Sequence, residues 1–81
     1  MKLELYYQPT CLFCRKVLSF MDENEISGVE LKDKTAHPEY EQELINVGGK
    51  AQVPCLVRDG DPLYESDKIM EWLGENRENS K

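Results

Sequence analysis

The spacing of apolar residues in the first third of the chain predicts one strand followed by one helix. Residues 2–7 alternate polar and apolar side chains and include two tyrosines, which is typical of a strand. Pro9 cannot donate a hydrogen bond to a strand ladder, and Thr10 can cap a following helix. Apolar side chains then recur at three- and four-residue spacing. We therefore predict an amphipathic helix that begins near Cys11 and ends by residues 27–28.

The next segment repeats this arrangement with a short strand and a second helix. Residues 29–32 alternate again, which predicts a second strand. Pro38 suits the first turn of a helix, and Gly48 and Gly49 allow the left-handed backbone that commonly ends one. The predicted apolar face of this helix consists of Tyr40, Leu44, Ile45 and Val47.

The last third of the chain predicts a β-hairpin and a final helix. Residues 53–57 form a dense apolar run, residues 59–61 contain the glycine of a tight turn, and residues 63–65 provide a short antiparallel partner. Ser66 can cap the helix that comes next. The predicted buried stripe of this helix contains Ile69, Met70, Trp72 and Leu73.

Together these elements give the order β-α-β-α-β-β-α. Two strands joined through a helix are expected to be parallel by the right-handed crossover rule, whereas a tight turn makes the last two strands antiparallel. We therefore predict an α/β fold in which three helices flank a four-stranded mixed sheet. The chain of 81 residues contains no repeat or linker, so we expect a single domain over residues 1–81.

Charge and composition argue against several classes of function. Ten basic against sixteen acidic residues give a net charge of −6, so the overall field repels nucleic-acid backbones and anionic membrane surfaces. No apolar run approaches the roughly 20 residues that span a bilayer, and the first strand comes after Met1 without an apolar leader. We expect a cytoplasmic monomer that binds neither nucleic acid nor a membrane.

Two of the three cysteines form a Cys-x-x-Cys pair at the predicted start of the first helix. A thiol attacks a disulfide only as the thiolate, and an ordinary cysteine with a pKa of about 8.5 is mostly protonated at neutral pH. Free N–H groups and the positive end of the helix dipole favour the anion at Cys11, and Arg15 and Lys16 add positive charge nearby. Cys14 lies about one turn further along, close enough to form a disulfide. The pattern predicts Cys11 as the attacking thiolate and Cys14 as the resolving thiol.

Two other interpretations of these cysteines remain open. Both residues could be small buried apolar groups. Alternatively, four side chains could bind zinc, although zinc knuckles usually place a cysteine pair in a glycine-rich turn and not in an amphipathic helix. The four possible ligands are Cys11, Cys14, His37 and Cys55. We predict no metal site, a solvated His37 in a turn and a Cys55 that packs in the core.

Three motifs resemble the glutaredoxin family, and the last third of the chain also resembles the thioredoxin-like N-terminal domain of glutathione transferases. The motifs are residues 7–14 (YQPTCLFC), residues 52–54 (QVP) and residues 63–69 (LYESDKI). The resemblance covers nearly the whole chain and implies a thioredoxin-like fold. Leu12 and Gln8 depart from the family pattern, which usually has proline at the first position and often lysine at the second.

The resemblance also implies a set of glutathione-binding residues. In the family, the proline that matches Pro54 is cis and lies beside the reactive sulfur, and the backbone of the residue that matches Val53 pairs with the cysteinyl part of glutathione. The segment Glu65-Ser66-Asp67 is similar to the loop that binds the γ-glutamyl end of glutathione at a helix start. The expected set is Phe13, Gln52, Val53, Pro54, Glu65, Ser66 and Asp67.

From the cysteine pair and this resemblance we expect a glutathione-dependent thiol–disulfide oxidoreductase. Its co-substrate would be glutathione, and it would reduce disulfides or glutathione mixed disulfides of protein substrates. Three alternatives remain. They are a thioredoxin-like redoxin that works without glutathione, a module that binds zinc or an iron–sulfur cluster, and a transferase relative that lacks its helical second domain.

Overall fold

The computed structural model describes residues 2–76 and confirms the predicted order of elements. The strands are β1 (Leu3–Tyr7), β2 (Val29–Asp33), β3 (Cys55–Arg58) and β4 (Asp61–Tyr64), and the helices are α1 (Leu12–Glu23), α2 (Glu39–Gly48) and α3 (Ser66–Asn76). Met1 and residues 77–81, which the predicted single domain includes, lie outside the described residues.

The four strands form one mixed sheet in the order β2-β1-β3-β4, as predicted. β1 runs parallel to β2 and antiparallel to β3, and β3 runs antiparallel to β4. The β3–β4 turn passes through Asp59 and Gly60, whose φ angles of 49° and 85° suit a two-residue hairpin. Tyr6 pairs with Cys55, and Cys55 pairs with Tyr64. The segments after β1, before β3 and after β4 therefore leave the sheet at the same edge.

Alternation along the strands divides the core between the two faces of the sheet. One face packs against α1 and α3, and its buried residues are Leu3, Leu5, Val17, Met21, Leu56, Ile69 and Leu73. The other face packs against α2, and its buried residues are Tyr6, Leu44, Cys55 and Val57. Cys55 thus packs in the core, as predicted. None of the helices in residues 2–76 is long and apolar enough to cross a membrane.

β2 exposes its apolar side chain, and α2 buries less apolar surface than the sequence predicts. On β2, Leu31 is 48% exposed, because β2 is an edge strand of the sheet. Lys32 is only 9% exposed, because its side chain lies on the face that α2 covers, over the ring of Tyr40. On α2, only Leu44 is buried, and Ile45 and Val47 are exposed to either side of it. The predicted four-residue apolar face of this helix is therefore too wide.

The ends of the helices also differ from the prediction. Cys11, and not Thr10, is the N-cap of α1, because its extended backbone lets the Sγ atom accept the N–H of Cys14. α1 ends at Glu23, earlier than predicted, where the Asn24 side chain and backbone both donate to the carbonyl of Phe20.

At the start of α3, Ser66 is the first helical residue and not the cap. The carbonyl of Glu65 accepts the N–H of Ile69 at 3.0 Å, so Glu65 holds the capping position. In the same way, β3 begins at Cys55, two residues after the predicted start, which leaves Val53 and Pro54 outside the strand.

Candidate active site

Three segments meet at the edge of the sheet where β1 and β4 end and β3 begins. The segment after β1 carries Cys11, the segment before β3 carries Pro54, and the junction between β4 and α3 carries Glu65. The antiparallel pairing of β1, β3 and β4 brings these segments together although they are far apart in sequence.

Cys11 is held by the turn that starts α1. Its backbone N–H donates to the carbonyl of Gln8 at 3.0 Å, and its own carbonyl accepts the N–H of Arg15 at 3.0 Å. Its Sγ atom lies 3.4 Å from the backbone nitrogen of Cys14, which is the side-chain capping contact of this helix. The side chain is partly exposed, so its sulfur is within reach of solvent.

The surroundings of Cys11 favour the thiolate. Partial burial raises the pKa of its thiol, but hydrogen bonds from the Cys14 thiol and from the backbone N–H groups of Cys14 and Phe13 outweigh burial, so the pKa lies below the ordinary value. The charges of Arg15 and Lys16, which the sequence suggested as contributors, are not among these interactions. The hydrogen bonds of one helix turn account for the shift.

Cys14 has the opposite environment. It is fully buried, and this burial raises the pKa of its thiol. The hydrogen bond with Cys11 and the negative charge of Cys11 raise it further, whereas a backbone hydrogen bond with Gln8 lowers it. The resulting pKa is about 12. All three cysteines are free thiols. The pair therefore combines one accessible acidic thiol with one inaccessible thiol that stays protonated at neutral pH.

A cavity of about 270 Å³ opens beside Phe13, the second residue of α1. Its lining consists of Phe13, Gln52, Val53, Pro54, Glu65, Ser66 and Asp67. The structure thus brings together all seven residues for which the family resemblance implied a glutathione-binding role, from three separate segments of the chain. Their role in binding glutathione stays a prediction.

The segment before β3 contributes three consecutive residues, Gln52, Val53 and Pro54, to the cavity wall. The Val53–Pro54 peptide bond is cis, as the resemblance implied. Pro54 is buried while Gln52 is exposed, so the segment runs from the surface into the core within two residues.

Lys34 is a residue of this region that the sequence analysis did not single out. Its Nζ donates to the carbonyl of Ala51 at 3.4 Å and lies 3.3 Å from the carboxylate of Glu41. Its positive charge acts to lower the pKa of Cys14, against the larger effect of burial. The strand pairing could have indicated Lys34, because β1 and β2 run parallel and the residues just beyond both strands lie at the same end of the sheet.

The junction between β4 and α3 has a strained backbone. Glu65 has a φ of 75°, a conformation that is uncommon outside glycine and asparagine and that tends to be kept at functional sites. The first N–H groups of α3 have no acceptor within the helix. Because Ser66 and Asp67 line the cavity, this positive end of the helix lies at its wall. Glu65 forms an ion pair of 3.0 Å with Lys68.

The four possible zinc ligands are not brought together. His37 lies 3.4 Å from the carboxylate of Glu39 and packs against the ring of Tyr40, with about half of its side chain exposed. Within residues 2–76, no group of three or more His, Cys, Asp and Glu side chains is placed to hold a metal ion.

The fold and this site define the class of the protein: a thioredoxin-like α/β domain with a Cys-x-x-Cys pair at the start of its first helix and a cavity beside it. The model of the family "Glutathione S-transferase, N-terminal domain" matches residues 5–81, so the chain belongs to that family. The fold is the one that the resemblance to glutaredoxins implied.

Solved structures agree with this assignment. Glutathione transferase Omega 3C from Trametes versicolor superposes with a TM-score of 0.80 at 22% identity, covering 100% of this chain and 36% of that chain. Human glutathione S-transferase T1-1 gives a TM-score of 0.77 at 28% identity, covering 94% and 32%. A threonine-to-alanine mutant of the thioredoxin-like protein BC3987 gives 0.72 at 26% identity, covering 89% and 99%.

The chain spans about a third of the length of the transferases that it matches, but almost the whole length of the thioredoxin-like protein. A search of curated proteins gave no match.

Proposed function

We propose that this protein is a glutathione-dependent thiol–disulfide oxidoreductase of the glutaredoxin type. The observation that carries the proposal is the opposite protonation behaviour of Cys11 and Cys14, since a low thiol pKa at an accessible sulfur is what disulfide exchange requires. The cavity beside Phe13, lined by the segment before β3 and by the start of α3, supports glutathione as the second reactant.

In the first step, the Cys11 thiolate attacks the glutathione sulfur of a mixed disulfide. A bond forms between Cys11 Sγ and that sulfur, the substrate's disulfide bond breaks, and the substrate leaves as a thiolate that takes a proton from solvent. The N–H of Cys14 and the helix start stabilise the anion before attack.

In the second step, a thiolate must attack the Cys11–glutathione disulfide. Burial, the largest cause of the raised pKa of Cys14, persists in this intermediate, so the Cys14 thiol stays mostly protonated at neutral pH. A second glutathione thiolate therefore resolves the intermediate, which releases glutathione disulfide and restores the Cys11 thiolate. Attack by Cys14, which would form a Cys11–Cys14 disulfide, is the slower route.

In this proposal the cavity orients glutathione for both steps. The backbone of Val53 would pair with the cysteinyl unit, and the first N–H groups of α3 would bind the α-carboxylate of the γ-glutamyl end. The carboxylate of Asp67 is a suitable partner for the ammonium of the same unit. These contacts would hold the glutathione sulfur beside Cys11 and aligned for exchange.

The test is turnover of a glutathione mixed disulfide coupled to glutathione reductase. Cys11→Ser should lose at least about a thousandfold in kcat/KM, because a serine hydroxyl does not ionise at neutral pH and cannot form the mixed disulfide. The matched control is Cys55→Ala, which removes the buried thiol on the α2 face and should leave activity within about twofold. Full activity of Cys11→Ser would refute the proposal.

A second candidate is glutathione conjugation, which is favoured by the family to which the chain belongs. A transferase reaction consumes the glutathione thiol and does not need a disulfide on the enzyme. If the protein is a transferase, the Cys11→Ser variant should therefore still conjugate glutathione to an electrophile. A third candidate is a redoxin without glutathione, favoured by the similarity to a thioredoxin-like protein that this chain covers almost completely. It predicts activity with a dithiol reductant and none in the glutathione-coupled assay.

A further inference from the structure

A groove of about 600 Å³ runs along α1 and shares no lining residue with the cavity beside Phe13. Its lining on α1 consists of Leu12, Arg15, Lys16, Ser19, Phe20 and Glu23, and Met70 of α3 forms the other side. These α1 positions recur every three or four residues, so they form one continuous stripe on the helix. The stripe begins at the residue directly after Cys11 and extends to the last residue of the helix.

The end of the groove nearest Cys11 is apolar and exposed. Leu12 is 67% exposed and the neighbouring Phe13 is 57% exposed, the two largest exposures of large apolar side chains in the described chain. Exposed apolar side chains grouped at a reactive site commonly mark an interaction surface. Here they adjoin the sulfur that must meet its substrate.

The groove is also positively charged on a negatively charged protein. The other basic side chains of residues 2–76 mostly have acidic partners: Lys2, Lys32, Lys34, Arg58 and Lys68 all lie within 4.0 Å of a carboxylate. Arg15 and Lys16 form no ion pair with any described residue, although the chain has sixteen acidic residues, and Lys16 instead lies over the ring of Phe13. Two cations one helical turn from Cys11 are therefore free to meet acidic groups of a partner.

We infer that the groove binds an acidic, partly apolar segment of a protein substrate, so that the glutathione mixed disulfide on its cysteine is presented to Cys11. This inference rests on the proposed function and specifies its substrate class. An apolar side chain of the substrate would pack on Leu12, and its carboxylates would pair with Arg15 and Lys16. Glu23 at the far end of the groove disfavours further acidic residues there.

The geometry limits where the acidic residue lies in the substrate. Arg15 is four residues after Cys11, which is about 6 Å along a helix axis. An extended peptide covers about 7 Å in two residues. The favoured substrate therefore has aspartate or glutamate two residues from the cysteine that reacts.

The test uses short peptides that carry one cysteine as a mixed disulfide with glutathione. Both positions two residues away are aspartate in one peptide, asparagine in the second and lysine in the third. The mixed disulfide of glutathione with β-mercaptoethanol serves as a small substrate without a peptide. We expect kcat/KM for the aspartate peptide to exceed that for the lysine peptide by about tenfold, a ratio that falls as salt is raised.

Two charge reversals distinguish the groove from overall charge. Arg15→Glu should reverse the order of the aspartate and lysine peptides and leave turnover of the small substrate within about twofold. Lys2→Glu, with the same change in net charge at a position outside the groove, should keep the wild-type order. Equal rates on all three peptides, or the same change of order in both variants, would overturn the inference while leaving the proposed function intact.

Two further outcomes overturn it in other ways. Absence of turnover of the small substrate by wild type would contradict the proposed function itself. Sedimentation equilibrium measures whether the protein dimerises. If wild type formed a dimer and Arg15→Glu did not, the occupant of the groove would be a second copy of this chain and not a substrate segment.

Discussion

Cys11 and Cys14 lie in the same turn of α1, but the pKa of one thiol is lowered and that of the other is raised. The difference arises from where each residue lies relative to the first turn of the helix. Cys11 at the N-cap faces N–H groups that have no acceptor within the helix, whereas the Cys14 side chain points into the core. A spacing of three residues is thus enough to separate a partly exposed thiol of lowered pKa from a buried thiol of raised pKa.

The hydrogen bond from the Cys14 thiol to the Cys11 sulfur makes the pKa of Cys11 depend on residue 14. Cys14→Ala removes this donor, so we expect the pKa of Cys11 to rise. Cys14→Ser keeps an O–H donor at the same place and should leave the pKa closer to that of wild type. Titration of the ultraviolet thiolate absorbance in the two variants measures the difference, and identical titration curves would show that the backbone N–H groups alone set the pKa.

At the scale of elements, α2 is held to the sheet mainly by polar contacts. Leu44 is its only fully buried side chain, whereas Lys32 of β2 reaches the Glu43 carboxylate at 2.9 Å and Lys34 reaches Glu41 at 3.3 Å. At the end of α2, the hydroxyl of Tyr64 donates to the carbonyl of Lys50 at 2.9 Å. These contacts fix the start of the loop that leads to the cis proline and the cavity.

Gly48 allows the close approach of β4 to the end of α2. A Cβ atom at this position would overlap the hydroxyl of Tyr64, so Gly48→Ala should lower the free energy of unfolding by about 1–3 kcal/mol, the usual cost of overpacking. For a chain of this size, each kcal/mol corresponds to a decrease in Tm of about 4–8 °C. Thermal unfolding followed by circular dichroism measures the change.

Gly74 in α3 provides the matched control for this substitution. A Cβ there would meet only the Phe20 ring, at 3.4 Å, and alanine favours a helix interior over glycine by about 0.5–1 kcal/mol. Gly74→Ala should therefore keep or raise the Tm. The double variant Gly48→Ala/Tyr64→Phe, which removes the overlapping hydroxyl, should recover part of the loss. Equal effects of the two alanines would contradict this explanation.

At the scale of the whole molecule, three buried acids couple stability to alkaline pH. Burial raises the pKa of Cys14 to about 12, that of Cys55 to about 11, and that of Tyr6 to about 12. The unfolded chain releases these protons at lower pH than the folded chain does. The stability from keeping them protonated is present below pH 9 and is lost as pH rises toward 12. Cys11 has a lowered pKa and acts in the opposite direction: its contribution to stability is complete once pH exceeds the pKa of the unfolded thiol, and it adds no further slope there because the thiol is ionised in both states.

Denaturant unfolding at a series of pH values tests this coupling. Each such group lowers the free energy of unfolding by up to about 1.4 kcal/mol per pH unit between its two pKa values. Cys55→Ala removes one of the three groups, so its stability should fall less steeply than that of wild type between pH 9 and 11. Parallel curves for the two proteins would show that Cys55 ionises at the same pH in the folded and unfolded chains.

The sequence by itself determined the order of elements and placed the Cys-x-x-Cys pair at the start of the first helix. Both depend on neighbours along the chain, because apolar periodicity defines a helix or strand, and Cys11 follows the first strand directly before the apolar residues of the helix. The same local reasoning failed where one element covers another. It did not show that Leu31 is exposed and Lys32 is buried, because periodicity does not show which strand is at the edge.

Only the tertiary structure decided that Phe13, the segment before β3 and the start of α3 line one cavity. The family resemblance named these residues separately, but their meeting depends on antiparallel pairing between β1, β3 and β4, which joins segments about 50 residues apart. Lys34 and the unpaired charges of Arg15 and Lys16 became visible for the same reason. Whether a charge has a partner depends on distances in space, and these are set by packing and not by spacing in the sequence.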